Sequence, residues 1–365
     1  MTDWILPLYS RSHVKRSGVI LRNSETPFEE IEAISVLNNW KAAHELPLHY
    51  IMKTIREYTK DVSDVSTIVQ RRKRTESILL KLNQQPKLDL ARMQDLVGFR
   101  VVFRHDNHER NLACIKELEQ KILSSTMQSK VTRMTNYIDE PRKSGYRSVH
   151  AIFKYDSPKY PSHNKMQVEL QIRTKMQHIW ATAVETVGMF KKSNLKQELG
   201  DENWLEFFRL MSLRMAIDEG ASSASSKDIE QLRDKLTQLS EEIELKNTMM
   251  LISIQHKILE TAYNKIRLKT KSSVGYMLLK LDLTPMKEDD EPTIDIKSFS
   301  EDKEADATEL YGQLEEEAYS NPMCYVLLAK SEDVKNLRRG FPNYFADVTE
   351  FIKLHERYCS TDIEK

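Results

Sequence analysis

With 365 residues and a mass of 42.7 kDa, the chain is too long for one ordinary domain and about right for two. Hydrophobic residues make up 40% and charged residues 30%, the balance of a folded, helix-rich soluble protein and not of a disordered one. No apolar run reaches the ~18 residues of a membrane span, and the start MTDWILPLYSRSH lacks the pattern of a secretory signal. Cys114, Cys324 and Cys359 are odd in number and far apart, so free thiols in a reducing cytoplasm are expected, with no disulfide frame and no zinc knuckle.

The net charge of zero hides an asymmetry. Residues 1–200 hold 33 Lys and Arg against 22 Asp and Glu, a balance of +11, and the remainder holds 22 against 33, or −11. A basic part followed by an equally acidic one points to a first part that meets phosphate and a second that lies against it. Two solvated surfaces with no mutual contact are the plainer alternative.

In chain order, residues 26–60 have helical periodicity, with Ser24 and Thr26 as candidate caps and Ile31, Ile34, Val36 and Leu37 beginning an apolar stripe. Ile68 to Leu82 continues that pattern through Ile78 and Leu79. GFRVVFRH (98–105) then reads as a buried strand, followed by a helix at 107–124 and strands at 131–138, 148–156 and 166–174. The last strand alternates, with Val168, Leu170 and Ile172 facing one way and Glu169, Gln171 and Arg173 the other. Helices at about 175–190 and 201–219 close a first unit, residues 1–220, and GASSASS (220–226) is the clearest linker. One long helix over about 227–268 follows, its seam running through Ile229, Leu232, Leu236, Leu239 and Ile243 and broken at Lys246. A small second α+β unit then has strands at 276–284, 293–299 and 324–331, helices near 303–319 and 345–358, and a turn at KEDDEP (287–292). The expected fold class is α+β: a mixed sheet flanked by helices, then the long helix and the small C-terminal unit, residues 221–365 together.

Glu169 lies in a strand otherwise built for burial, where a carboxylate needs a partner, a metal or a proton. Asp95 precedes Gly98 at the mouth of another strand, so the two carboxylates could hold Mg²⁺ through oxygen ligands. Arg71, Arg72, Lys73, Arg74, Lys81 and Arg100 supply positive charge nearby, as do Arg142, Lys143, Arg147 and Arg173. Mg²⁺ with Arg and Lys is the equipment of polyphosphate chemistry, where catalysis is positioning and charge neutralisation. The competing assignment makes Glu169 a salt-bridged edge residue and 71–74 a solvated helix face. In the loop PRKSGYRSVH (141–150), Gly145 permits an unusual turn, the cations suit phosphate and Tyr146 offers a face on which a base can stack, although a basic hairpin would have the same composition. Neither GxxxxGK[ST], GxGxxG nor GxSxG occurs. His105, Asp106 and His108 fit a turn and a helix cap better than a metal site.

Four blocks, QRRKRTESILLKL (70–82), DLVGFR (95–100), NYIDEPRKSGYRSVH (136–150) and VELQIRT with the following MQHIWA (168–181), resemble in order and spacing the synthetase domain of RelA/SpoT-type pyrophosphokinases, over roughly residues 40–190. That resemblance implies transfer of the β,γ-pyrophosphate of ATP to a ribose 3′-hydroxyl with Mg²⁺. It implies that Arg71 and Arg100 sandwich adenine, and that Lys73, Ser77 and Lys81 contact the ATP phosphates. Asp95 and Glu169 would be the metal ligands, with Glu169 also activating the hydroxyl. Tyr146 would stack on the acceptor base, with Lys143, Arg147, His150, Gln171 and Arg173 around it.

Two departures shape the expected acceptor. Asn136 stands where the family has Asp before its tyrosine, and Glu185–Thr186 stands where it has Glu-His. The second resembles a branch in which the domain is a toxin that pyrophosphorylates the 3′-CCA end of tRNA. LRRGFPNYFADVTEFI (337–352) resembles the end of CapRel-type fused toxin–antitoxins, whose C-terminal domain restrains the synthetase until it senses a phage protein; Phe341 and Tyr344 occupy that branch's tyrosine pair. The leading expectation is therefore a tRNA-directed pyrophosphokinase of phage defence, auto-inhibited by its tail. A guanosine alarmone synthetase using GDP or GTP is the second, and an inactive module sensing nucleotide or phage protein the third.

Overall fold

The alternation of MQVELQIRT is realised as the centre of a five-stranded sheet in the computed structural model, which describes residues 4–23, 27–63, 66–191, 193, 195, 198–269, 275–284, 293–319, 321, 323–331 and 338–360. The strands are β1 (Ser66–Arg72), β2 (Val97–Phe103), β3 (Lys130–Asn136), β4 (Val149–Lys154) and β5 (Gln167–Thr174), in the order β1-β2-β5-β4-β3. β2 and β5 are parallel and the other neighbours antiparallel, so the sheet is mixed, as expected. The helices of this part are α1 (Arg11–Asn23), α2 (Pro27–Ala43), α3 (Glu45–Val62), α4 (Thr75–Gln84), α5 (His108–Leu123), α6 (Lys175–Phe190) and α7 (Glu202–Asp218).

The two faces of the sheet have different work. Phe99, Val101, Leu170 and Ile172 join Ile51 and Ile55 of α3 and Leu118 of α5 in one buried core. The register sets Val69 opposite Arg100, Arg71 opposite Gly98, Gly98 beside Glu169 and His150 opposite Gln171. Because side chains alternate, these polar residues share the opposite face. Gly98 is required there: a Cβ on it would lie 2.5 Å from the Glu169 carbonyl oxygen.

The C-terminal part is a three-stranded antiparallel sheet, β6 (Gly275–Asp282), β7 (Thr293–Ser300) and β8 (Cys324–Ser331), in the order β7-β6-β8, with α10 (Glu304–Tyr319) packed on it. α8 (Ser226–Glu242) and α9 (Leu245–Lys269) precede it and α11 (Thr349–Cys359) ends it. One core runs across both parts, from Trp180 of α6 and Phe207 and Phe208 of α7 through Leu236 and Ile252 to Leu279, Phe345 and Phe351. Phe208 and Phe351 lie 5.7 Å apart, centroid to centroid.

Two sequence expectations change. Residues 66–72 are a strand and not helix, because STIVQRR is rich in β-branched side chains and finds an antiparallel partner in β2. The expected long helix is two, since Glu244 takes a left-handed φ of 50° and the axis turns there; the seam ends at Ile243, just before Lys246. α1 was not anticipated from periodicity. The proposed caps Ser24 and Thr26 and the turn 287–292 lie outside the described residues. Among the described residues the three cysteines are free, and no helix is long and apolar enough to cross a membrane.

Candidate active site

The polar face of the sheet opens into a cavity of about 750 Å³. Asp95, from the turn before β2, and Glu169, from β5, both line it, and the Asp95 charge is felt at Glu169. Lys73 Nζ donates to Asp95 Oδ2 at 3.0 Å and Lys81 Nζ to Oδ1 at 2.8 Å. Burial alone would raise the Asp95 carboxyl, but the two ammonium groups outweigh it and hold it far below the usual carboxylate range. Burial also pulls Lys73 down, against the attraction of Asp95. α4 carries Ser77 and Lys81 into the same cavity, and Arg71 enters from the end of β1.

Glu169 is held by both oxygens. His150 Nδ1 lies 3.0 Å from Oε1 and Gln171 Nε2 donates to Oε2 at 2.8 Å. Burial would raise this carboxyl too, and the bonds from His150 and Gln171 lower it on balance. Tyr146 Oη is 2.7 Å from His150 Nε2, and Arg173 Nη2 donates to Tyr146 Oη at 2.9 Å and to Gln171 Oε1 at 3.1 Å. The Tyr146 loop is clamped from α7: Ser212 Oγ donates to the Gly145 carbonyl, and Gly145 has φ +87°, where a side chain would also meet Arg209 and Ser212.

The sequence-assigned residues therefore separate. Arg71, Lys73, Ser77, Lys81, Asp95, Arg100, Tyr146, His150, Glu169 and Gln171 line one cavity, and Lys143, Arg147 and Arg173 do not. Lys143 is exposed on the loop and does not line it. Arg147 turns into a separate recess with Glu219 and Trp180, where burial lifts the Glu219 carboxyl to about 7. Arg173 is fully buried behind Tyr146, its guanidinium carbon 5.2 Å from the ring centroid. Tyr146 itself is buried, and Arg142, an exposed residue, lies 5.4 Å from the same ring and 4.5 Å from that of Tyr137. A base stacking on Tyr146 would have to displace Arg142.

The C-terminal part closes the remaining side. Phe341 and Tyr344 are buried, edge-on to one another at 6.3 Å, and line the same cavity as Arg71 and Arg100. Arg100 Nη1 donates to the Gly340 carbonyl at 3.5 Å, and Arg104 Nη2 to that of Arg339 at 3.0 Å. Burial, and then the nearby Arg173, pull Arg100 below its ordinary value. Arg74 stacks on Tyr325 of β8 at 4.9 Å. A second contact was not anticipated from the sequence: Glu315 of α10 pairs with Lys41 of α2 at 2.5 Å and accepts from the Thr75 amide at 3.0 Å and the Thr75 hydroxyl at 2.9 Å. Arg72 is likewise buried, between Glu45 (2.6 Å) and Thr308 (3.1 Å).

Among the described residues no cluster of three or more His, Cys, Asp and Glu is gathered. Two hard carboxylates facing one cavity nevertheless fit Mg²⁺, which usually takes one or two protein carboxylates and completes its shell with water and substrate phosphate.

Comparison with known proteins matches residues 70–195 to the family described as "Region found in RelA / SpoT proteins". The GTP pyrophosphokinase YjbM of Bacillus subtilis is 27% identical over 150 residues, 40% of this chain and 68% of that protein. An uncharacterized protein of Mycobacterium bovis is 26% identical over 179 residues, 49% of this chain and 59% of its own length. The solved structure of small alarmone synthetase 1 from Bacillus subtilis bound to its product pppGpp covers 53% of this chain and 94% of that one, with a TM-score of 0.39 and 18% identity. A GTP pyrophosphokinase family protein from Streptococcus pneumoniae gives 0.38 and 17% over 55% and 93%. Residues 70–195 of this chain are a RelA/SpoT domain.

Proposed function

We propose that the chain is an ATP-dependent pyrophosphokinase held shut by its own C-terminal part. The observation that carries this is the shared cavity: Phe341 and Tyr344 line it together with Asp95, Glu169 and Arg71. The two aromatic rings line the same cavity as Arg71 and Arg100, the pair that would receive a purine. ATP and the tail therefore compete.

In the opened protein, Arg71 and Arg100 receive adenine, and Lys73, Ser77 and Lys81 hold the phosphates. Asp95 and Glu169 hold Mg²⁺, which when bound neutralises charge on the transferred group. The acceptor's 3′-oxygen bonds to the β-phosphorus, the bond from that phosphorus to the α,β-bridging oxygen breaks, and AMP leaves. Glu169 accepts the hydroxyl proton. Each of these roles is part of the proposal.

The 3′-CCA end of tRNA is the first candidate acceptor. Glu185–Thr186 in place of Glu-His and the +11 balance of residues 1–200 support it. GDP or GTP is the second, supported by the name of the Bacillus subtilis relative. A trigger protein, such as a phage protein, would act by drawing the tail away, a role that would belong to antiviral defence.

The test uses the full chain. The core shared by α6, α7 and the C-terminal part makes truncation near residue 220 a poor probe, so Phe341→Ala with Tyr344→Ala replaces it. With γ-labelled ATP, the double variant should label deacylated tRNA, and adding Glu169→Gln should abolish transfer. Label only in GDP or GTP would select the second acceptor. No label on any acceptor would leave the inactive sensing module as the reading.

A further inference from the structure

Arg173 makes no contact with the cavity, yet two hydrogen-bonded arms run from it to Glu169. One arm passes from Arg173 Nη2 to Tyr146 Oη (2.9 Å), from there to His150 Nε2 (2.7 Å), and from His150 Nδ1 to Glu169 Oε1 (3.0 Å). The other passes from the same Nη2 to Gln171 Oε1 (3.1 Å) and from Gln171 Nε2 to Glu169 Oε2 (2.8 Å). The arms start at one nitrogen and end on the two oxygens of one carboxylate. The five residues close a ring.

One placement of the hydrogens runs every bond the same way. A guanidinium is only a donor, so the phenol oxygen of Tyr146 accepts from Arg173; in this placement the phenol in turn donates to His150 Nε2. A neutral imidazole that accepts at Nε2 carries its hydrogen on Nδ1, and that hydrogen points at Glu169. In the second arm the Gln171 carbonyl accepts and its amide donates. Every donor therefore points toward Glu169, and each of its oxygens keeps a lone pair for the cavity. Arg173 is 0% exposed, and Tyr146, which it contacts, packs 6.3 Å from Trp180, so the root of the ring has little freedom.

We propose that Arg173 is a positioning residue for Glu169, acting through the Tyr146–His150 and Gln171 arms to fix both carboxylate oxygens, so that the hydroxyl of Tyr146 serves the transfer step separately from its ring. The inference rests on the reading of Glu169 as the group that receives the acceptor proton. It gives Arg173, His150 and Gln171 a task other than lining an acceptor pocket.

Two measurements test it. The first needs no activity: nitrogen NMR of the imidazole of His150 in the full chain, assigned by comparison with His150→Gln. The expected result is the tautomer with hydrogen on Nδ1, lost or mixed in Tyr146→Phe, which keeps the ring and removes the phenol. A predominant Nε2–H tautomer in the wild type would overturn the proposal, since that ring cannot donate to Glu169. The second is kinetic, in the Phe341→Ala, Tyr344→Ala full chain. Tyr146→Phe should lower kcat about 10- to 100-fold, the range for residues that orient another functional group, with the acceptor KM within about twofold; Arg173→Lys, which cannot root both arms, should lower it further. An unchanged kcat, or an effect confined to KM, would sink the idea. If the opened chain transfers nothing to any acceptor, the proposed function fails, and the tautomer still decides the ring.

Discussion

Glu315 caps the first turn of α4 from another part of the chain: its carboxylate accepts from the Thr75 backbone amide at 3.0 Å while pairing with Lys41 at 2.5 Å. The amide belongs to the unsatisfied N–H groups of a helix start, where an anion is favoured. The helix so held carries Ser77 and Lys81, so the C-terminal part grips the proposed phosphate-binding helix as well as lining the cavity beside the proposed adenine site. Glu315→Ala leaves Lys41, 2% exposed, buried without its carboxylate. Removing one partner of a buried pair costs about 3–5 kcal/mol. The closed arrangement should bear that loss, so a non-hydrolysable ATP analogue should bind Glu315→Ala at least tenfold tighter than wild type by calorimetry. Equal affinities would show that this contact does not contribute to closure.

Gly340 reports on the other end of the same closure. It lies flat against Val69 of β1, and a Cβ would overlap that side chain, while its carbonyl accepts from Arg100. Gly340→Ala should push the tail off the sheet without touching Asp95, Glu169 or the lysines. Closure weakened by about 1.4 kcal/mol corresponds to a tenfold gain in analogue binding. The variant should match Glu315→Ala in direction, and tighter closure, read as weaker analogue binding, would contradict the packing argument.

The polar face was legible because a period-2 strand declares its two sides: Glu169 and Gln171 stand opposite Val168, Leu170 and Ile172 in sequence and in space. The same logic fails at β1, where Ile68 and Val69 run on into the helical spacing of α4 and only the partner strand settles the local conformation. Glu315 could not be found from periodicity, since its partners Lys41 and Thr75 lie 274 and 240 residues away. Arg147 differs from its neighbour Tyr146 for a related reason. It lies in the loop before β4 and enters a separate recess, and what it meets there, Glu219, is supplied by the end of α7. Local pattern specifies faces; distant partners must be folded to be seen.

Asp95 begins with both oxygens occupied by ammonium groups. A divalent cation alone must displace Lys73 and Lys81, whereas one arriving with a triphosphate gives the lysines a new anion. Mg²⁺ should therefore bind the Phe341→Ala, Tyr344→Ala chain at least tenfold more tightly with a non-hydrolysable ATP analogue present than without it, a difference of about 1.4 kcal/mol. Asp95→Asn should remove the enhancement. Calorimetric titration with and without the analogue checks this, and Mg²⁺ binding indifferent to nucleotide would count against Asp95 as a shared ligand.

Acid should destabilise the fold through histidines buried in neutral form. Burial lowers His44 to about 4, against a hydrogen bond to the Trp40 carbonyl, and lowers His355 of α11, which meets Ser240 of α8 at 2.7 Å, to about 4 as well. Above the ordinary histidine value near 6.5 neither the folded nor the unfolded chain carries these protons, so they do not affect stability. As pH falls below that value the unfolded chain takes up protons that the folded chain refuses until about 4, and stability declines across this window before levelling. For His44, 2% exposed, the full loss is about 3 kcal/mol. Thermal melts from pH 7 to 4 should therefore fall less steeply for His44→Gln and for His355→Gln than for the wild type, after each variant is referred to its own melting point at pH 7. Parallel melting curves for all three proteins would exclude both histidines as the cause.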